Sequence, residues 1–390
     1  MDNVPRLIRS RPARQQPRWD DPALLRRVTD DLAGRPAVVN AADVRFLRGQ
    51  LAQVAAGEAH VVQAGDCAED PAECTGGYIA AKAAVLDLLA GTMRMASRRP
   101  VLRVGRIAGQ FAKPRSQDTE RVGGRELPVY RGHLVNRPEP DAAGRRPDPR
   151  RLLTCYQAAR DAVNNLDWYL PAERLRIDTP VWTSHEALVL DYELPLLRRD
   201  QTGHLVLTST HWPWIGERTR QVDGAHVALL ARVSNPVACK VGPTMTEDEL
   251  LRLCEALDPD RVPGRLTLIA RMGAERVVER LPALVAAVRA ARHPVIWLSD
   301  PMHGNTVTAP DGLKTRFVET VRRELEGFQE AVRSAGGVVG GVHLETTPDE
   351  VTECVADASA IGRVGDKYTT FCDPRLTPEQ AVEVLSAWTG

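Results

Sequence analysis

The sequence predicts an α/β protein, a (β/α)8 barrel preceded by an N-terminal extension. Three observations predict it. From Val61 onward, short apolar runs alternate with helix-length patterns, as parallel strands joined by crossover helices do. Eight such runs occur, at Val61–Ala64, Val101–Ile107, Val181–Thr183, Trp212–Ile215, Ala238–Val241, Leu266–Ala270, Val295–Leu298 and Gly341–Leu344. Residues that can hold a metal also stand at or beyond the ends of runs: Cys67, His303, Glu345 and, further on, Asp373. The C-terminal ends of the strands are where a barrel of this kind carries its active site.

In chain order, residues 1–58 form the extension and residues 59–390 the barrel domain. The extension opens rich in Arg and Pro, then turns helical, with Leu24-Leu25 and Val44, Leu47 and Leu51 at helix spacing. Its early arginines (Arg6, Arg9, Arg11, Arg14, Arg18) are diluted by Pro and followed by Asp20-Asp21, which suits a solvated or subunit-packing extension better than a nucleic-acid arm. Between the strand runs, helices are expected at Tyr78–Met95, Leu152–Tyr169, Ala187–Leu197, Gln221–Val233, Glu247–Leu257, Arg276–Arg292, Lys314–Ser334, Pro348–Val355 and Pro378–Trp388. Thr246 with Glu249, Thr347 with Pro348 and Glu350, and Thr377 with Pro378 and Gln380 fit helix starts in which a hydroxyl accepts from the third backbone N–H and the later side chain reaches back. The polar, Pro/Gly-rich stretch from Glu120 to Pro149 is a lid or an excursion.

Composition narrows the function. A chain of 390 residues buries a sizeable core, and 51 basic against 51 acidic residues give a formal net charge of zero. Nothing in that balance draws the whole surface to nucleic acid or an anionic membrane, so a small-molecule partner is expected. No apolar run approaches the ~20 residues of a membrane span, and Met1-Asp-Asn-Val-Pro lacks the apolar core of a secretory signal, so the expected location is cytoplasmic. Seven cysteines without CxxC spacing argue against both a disulfide framework and a structural zinc site.

Two groups at the strand ends carry the chemistry. Cys67, in Gly65-Asp-Cys-Ala-Glu69, and His303, in Asp300-Pro-Met-His-Gly-Asn-Thr306, join Glu345 and Asp373 in a mixed soft and hard donor set. That set suits a borderline divalent ion (Mn2+, Co2+, Fe2+ or Zn2+) better than Mg2+ or Ca2+, which avoid sulfur. The competing reading is four unrelated polar residues at turns. The second group is cationic: Arg106, Lys113, Arg115, Arg218, Lys240 and Arg271. Lys240 is the most informative, because a lysine inside the apolar run Ala238-Cys-Lys-Val241 is costly unless an anion or carboxylate meets it. Six cations on one rim point to a doubly anionic substrate or two phosphorylated ones, since guanidinium forks match phosphate and carboxylate oxygens; salt bridges to Asp66, Glu69 and Glu217 are the competing account.

Several long segments carry a family resemblance. Gly-Asp-Cys-Ala-Glu69, Arg-Ile-Ala-Gly-Gln-Phe-Ala-Lys-Pro-Arg-Ser116, Trp-Thr-Ser-His-Glu-Ala-Leu188, Trp-Ile-Gly-Glu-Arg-Thr-Arg-Gln221, Asp-Pro-Met-His-Gly-Asn-Thr306 and Cys-Asp-Pro-Arg-Leu376 resemble, in order, the type II (plant-like) 3-deoxy-D-arabino-heptulosonate 7-phosphate (DAHP) synthases, in a short form. The resemblance implies a TIM barrel that condenses phosphoenolpyruvate with erythrose 4-phosphate at a divalent metal, Mn2+ or Co2+ foremost, in a homodimer or higher homo-oligomer. It implies Cys67, His303, Glu345 and Asp373 as metal ligands, Arg218, Lys240 and Arg271 on the phosphoenolpyruvate phosphate, and Arg106 with Lys113 on its carboxylate. Arg115 and Ser116 would hold the aldose phosphate, Lys113 would serve the developing alkoxide and Glu217 would orient water.

The chain departs from the family pattern at His133 in Tyr130-Arg-Gly-His133, usually Asp, and at Tyr368-Thr-Thr370, often Glu or His after the Tyr. Both departures fall on segments expected near the substrate loops, which raises an amino or imino erythrose 4-phosphate, the substrate of an antibiotic-precursor variant, as the alternative aldose. The stretch between Tyr169 and Trp182 is short where longer members carry a regulatory helical pair, which predicts low sensitivity to aromatic amino acids and a specialised pathway. A non-catalytic barrel would be expected to lose a ligand or Lys240, and none is missing.

Overall fold

The computed structural model describes residues 3–122, 124–166 and 180–390. Eight parallel strands close into a barrel: β1 (His60–Gly65), β2 (Val101–Arg106), β3 (Trp182–Glu186), β4 (Trp212–Ile215), β5 (Val237–Val241), β6 (Leu266–Ala270), β7 (Ile296–Ser299) and β8 (Val339–Glu345). Each bonds to the next, and β8 closes on β1. Every apolar run read as a strand is therefore a barrel strand. The reason is visible in burial: β1, β3 to β5 and β8 are buried at every position, which only a sheet covered on both faces allows.

The helices pack around this barrel. α1 (Val4–Arg9), α2 (Pro22–Gly34) and α3 (Ala41–Ala55) belong to the extension, and Ile8, Val28, Leu32, Val44, Leu47 and Leu51 are buried in the same core as the barrel residues. α4 (Gly76–Ser97), α5 (Arg150–Asn165), α8 (Glu247–Leu257), α9 (Val277–Ala290), α10 (Val318–Ser334) and α11 (Pro378–Leu385) match expected helices. Thr377 and Gln380 form the full reciprocal cap of α11, whereas Thr246 caps α8 through the Glu249 N–H alone. The end of the expected helix Leu152–Tyr169 and most of the short stretch up to Trp182 lie outside the described residues.

Three expected helices differ. Ala187–Leu197 forms only one helical turn, α6 (Leu190–Glu193), and then a 3-10 turn at Leu194–Leu196, because Pro195 brings no N–H to continue the ladder. Gln221–Val233 shortens to α7 (Ala225–Leu230). Pro348–Val355 is not helical. The Thr347 hydroxyl accepts from the Asp349 N–H and closes a local turn, and the chain then bridges outward, with Thr352 N–H donating to Lys367 C=O and Val355 paired beside Phe317. Lys314-Thr315, expected to open a helix, instead pairs with Val307-Thr308 in a small ribbon. The stretch after Ser116 begins as a hairpin, Thr119–Val122 against Arg125–Pro128.

Candidate active site

Strand register decides which side chains meet. Gly65 pairs with Arg106 on one side and Glu345 on the other, so the ends of β1, β2 and β8 lie level at the C-terminal rim. Over them opens a cavity of about 540 Å³, lined among others by Arg106, Lys113, Arg115, Ser116, Glu217, Arg218, Lys240, Arg271, His303 and Asp373. Thr119, Glu120 and Val129 also line it, so the stretch read as a lid or excursion borders the cavity.

At its floor, single ligand atoms of Cys67, Glu345 and Asp373 lie within 4.8 Å of one another. His303 joins them: its Nε2 is 3.2 Å from Glu345 Oε1, and its Nδ1 lies 2.8 Å from Asp300 Oδ2. A carboxylate behind the far ring nitrogen fixes the imidazole so that Nε2 faces the cluster. Burial would raise the Glu345 and Asp373 carboxyls, yet facing cations, Lys113 and Arg316 common to both, outweigh it and hold both well below the usual carboxylate range. The buried Cys67 thiol is pushed up instead. The four donors, two hard, one borderline and one soft, fit a divalent transition ion in number and type. Lys113 Nζ stands among them, 2.8 Å from Cys67 Sγ, 2.8 Å from Asp373 Oδ2 and 3.2 Å from Glu345 Oε1.

The cations are each held by a specific partner. Lys240 is buried at the end of β5, and its Nζ is 2.5 Å from Asp300 Oδ2; burial outweighs that carboxylate and lowers its pKa to about 8. The Arg106 guanidinium donates to Asp66 C=O at 2.9 Å and to Glu345 Oε1 at 3.0 Å, and lies over the Trp214 ring. Arg271 donates to His303 C=O at 2.7 Å, and Arg218 to Ser116 Oγ at 2.6 Å. Arg115 pairs with Glu120 at 3.2 Å. Glu217 gives one oxygen to Arg220 at 2.9 Å while its buried Oε2 has no hydrogen-bond partner. Gly242 makes room for that carboxyl, since a Cβ there would come within 2.8 Å of it.

The structure adds residues that the sequence reading passed over. Arg316, fully buried, pairs with Glu345 Oε2 at 2.9 Å, and Asp300 bridges Lys240 and His303. Glu186 lines the cavity with an unpartnered oxygen, and burial raises its pKa. His343 donates from Nδ1 to Gln63 Oε1 at 2.6 Å and accepts at Nε2 from Arg106 at 2.5 Å. Asp300, three residues before His303, and Glu186, at the end of a strand, carry the same positional signal as the residues singled out. His343, inside the run Gly341–Leu344, carries the signal used for Lys240, a polar residue within an apolar strand, and Arg316 carries none.

Comparison with known proteins decides the family. The model of the class-II DAHP synthetase family matches residues 3–174 and 171–387. The chain belongs to the class-II DAHP synthetase family. It is 56% identical over 389 residues to a probable phospho-2-dehydro-3-deoxyheptonate aldolase of Pseudomonas fluorescens, covering 100% of this chain and 97% of the relative. It is 40% identical over 426 residues to the phospho-2-dehydro-3-deoxyheptonate aldolase of Streptomyces coelicolor, covering 96% and 94%. A solved phospho-2-dehydro-3-deoxyheptonate aldolase from Francisella tularensis shares the fold at a TM-score of 0.54 and 14% identity, over 94% of this chain and 97% of that one. Membership makes this chain an enzyme of the DAHP synthase type, a transferase.

Against the DAHP synthase pattern, neither departure is among the cavity-lining residues. His133 is buried with its ring edge-on to Tyr130 and Phe371, beside Arg151, and is not among the cavity-lining residues. Thr370 donates to Asp373 C=O at 2.9 Å, so it shapes the Asp373 turn rather than a substrate wall. Both therefore fall beside cavity-lining segments, His133 against Tyr130, which follows Val129, and Thr370 on Asp373, and neither side chain lines the cavity itself.

Proposed function

We propose that this DAHP synthase condenses phosphoenolpyruvate with erythrose 4-phosphate and water, giving 3-deoxy-D-arabino-heptulosonate 7-phosphate and phosphate. The observation that carries the reading is a Cys/His/Glu/Asp donor cluster, of which His303 and Asp373 line the cavity, beside Arg106, Lys113, Arg115, Arg218, Lys240 and Arg271 of the same lining. A site for one small neutral metabolite needs no such density of cations. A divalent ion, Mn2+ or Co2+ foremost and Fe2+ or Zn2+ next, would be held by Cys67, His303, Glu345 and Asp373, and when bound supplies a Lewis acid for the aldehyde oxygen.

The side chains divide the remaining work. Lys240, Arg218 and Arg271 bind the phosphate of phosphoenolpyruvate, while Arg106 and Lys113 face its carboxylate. Arg115 and Ser116, at the outer rim, hold the aldose phosphate. In that pose the enol carbon attacks the aldehyde carbon and a C–C bond forms. Lys113 gives a proton to the developing alkoxide, and its ammonium already stands in hydrogen-bond reach of the ligand cluster. Water adds to the cationic C2, directed by the free oxygen of Glu217, and phosphate leaves. Protein supplied with Mn2+ or Co2+ and both substrates should consume the enol absorbance of phosphoenolpyruvate. No loss of absorbance with erythrose 4-phosphate, but loss with its amino or imino counterpart, would transfer the reading to the amino-sugar reaction.

A further inference from the structure

The N-terminal arm is wired to the outer rim of the cavity. Residues between α1 and α2 run across the loops after β2, β3 and β4. Pro12 C=O accepts from Ala225 N–H at 2.9 Å. Gln16 accepts from Leu190 N–H at 2.9 Å and donates to Leu188 C=O at 2.8 Å. Trp19 Nε1 and Arg9 both bond Asp191, at 2.9 and 2.5 Å. Between these anchors Gln15 takes φ +62°, a left-handed conformation uncommon for a side-chain-bearing residue. That turn aims its amide at the cavity rim, where Oε1 accepts from the Arg115 backbone N–H at 2.8 Å and lies 3.5 Å from Arg131 Nη1.

The segment so held is the one that carries an anion subsite. Ser116 follows Arg115 directly, and its hydroxyl accepts from Arg218 at 2.6 Å. Arg115, Ser116 and Arg218 all line the outer cavity. Arg218 comes from the loop between β4 and α7, and the arm bonds the start of α7 through Pro12. Both sides of the Ser116–Arg218 pair are therefore braced by one stretch of the arm, Pro12 to Gln15, from outside the barrel. The Lys113 N–H bonds Arg131 C=O two residues earlier, but the Arg115 N–H itself is met by Gln15 Oε1, and an anion site depends on alignment within tenths of an ångström.

We propose that Gln15 is a positioning residue for the outer anion subsite, holding Arg115 and Ser116 in place for the phosphate of the aldose substrate. This rests on the functional reading above, which assigns that phosphate to Arg115 and Ser116. Gln15 touches no substrate and acts through the Arg115 peptide.

The test compares Gln15→Gly with Gln15→Glu. Glycine keeps the left-handed backbone and removes only the amide, and glutamate keeps an acceptor oxygen in reach of the Arg115 N–H. In steady state, Gln15→Gly should raise KM for erythrose 4-phosphate about tenfold, as the loss of one well-placed hydrogen bond does, with kcat and KM for phosphoenolpyruvate changed by less than about twofold. Gln15→Glu should restore KM to within about threefold of the wild type. An unchanged KM for erythrose 4-phosphate in Gln15→Gly overturns the proposal, as does a parallel rise for both substrates with a lowered melting temperature. A wild-type protein that turns over no erythrose 4-phosphate defeats the functional reading instead. The brace is then decided by calorimetry with inorganic phosphate at saturating phosphoenolpyruvate: weaker phosphate binding in Gln15→Gly supports it, and equal binding overturns it.

Discussion

At Glu345 one carboxylate meets four cationic or protonatable neighbours, Arg106, Lys113, His303 and Arg316, and none of its surface reaches solvent. Such a group is tolerated only while its partners stay, so Arg316→Met should destabilise the fold by about 3–5 kcal/mol in denaturant titration and weaken metal binding with it. Replacing Cys67 or His303 by Ala should abolish metal-dependent turnover and cut Mn2+ affinity measured by calorimetry; full activity in metal-stripped buffer would defeat the ligand assignment. Lys240 supplies a pH signature. Its pKa near 8 means the ammonium is present below that pH and lost above it, so kcat/KM for phosphoenolpyruvate should fall as pH rises through about 8. In Lys240→Arg that alkaline limb should vanish, because a guanidinium stays charged. A flat wild-type profile from pH 7 to 9 would exclude Lys240 as the titrating group. Cys67, His303, Glu345 and Asp373 were legible as ligand types at run ends, but Arg316 was not. It stands just beyond the Lys314-Thr315 ribbon, 29 residues before its partner, with no local pattern to mark it.

Local chemistry succeeds where its partners are close in sequence, and the elements divide along that line. The α11 cap is complete within four residues, Thr377 to Gln380, and the sequence reads it correctly. Thr377→Ala should cost about 1 kcal/mol of stability by chemical denaturation and leave kcat unchanged, since the cap touches no cavity-lining residue; a loss well above 3 kcal/mol would mean that the threonine holds more than the helix start. Thr347 carries the same signature, and no helix follows. The difference lies downstream, where Glu353 accepts from Thr369 and Thr370 N–H and binds the Arg375 guanidinium at 2.9 Å. Those distant bonds hold Glu353 toward Thr369 and Arg375 in a bent, non-helical segment, and they outcompete a helix of one or two turns. Short helices around Pro195 fail for a local reason that the sequence did contain.

Across the whole molecule, buried histidines tie stability to pH. His211 is enclosed, and burial alone lowers its pKa to about 3, while burial and Arg99 lower that of His60 to about 4. An unfolded chain takes up those protons near pH 6.5 and the folded one refuses them, so this stability is complete above about 6.5 and is lost as pH falls toward 4. For His211 the loss at pH 5 is about 2 kcal/mol, and the melting temperature should fall measurably between pH 7 and 5. A melting temperature constant over that range would contradict the buried neutral state. The barrel is legible in the chain alone, because eight short apolar runs alternating with helix-length patterns admit few arrangements besides a closed parallel sheet with covering helices. The sequence by itself also determined the chemical types at the rim, since strand ends are marked by where each apolar run stops. Tertiary structure alone decided which of those side chains face one another. The level register of Gly65, Arg106 and Glu345, the burial of Arg316 and the reach of the N-terminal arm to Arg115 depend on barrel closure, which brings together groups far apart in the chain, up to 280 residues for Gly65 and Glu345, and leaves no local trace.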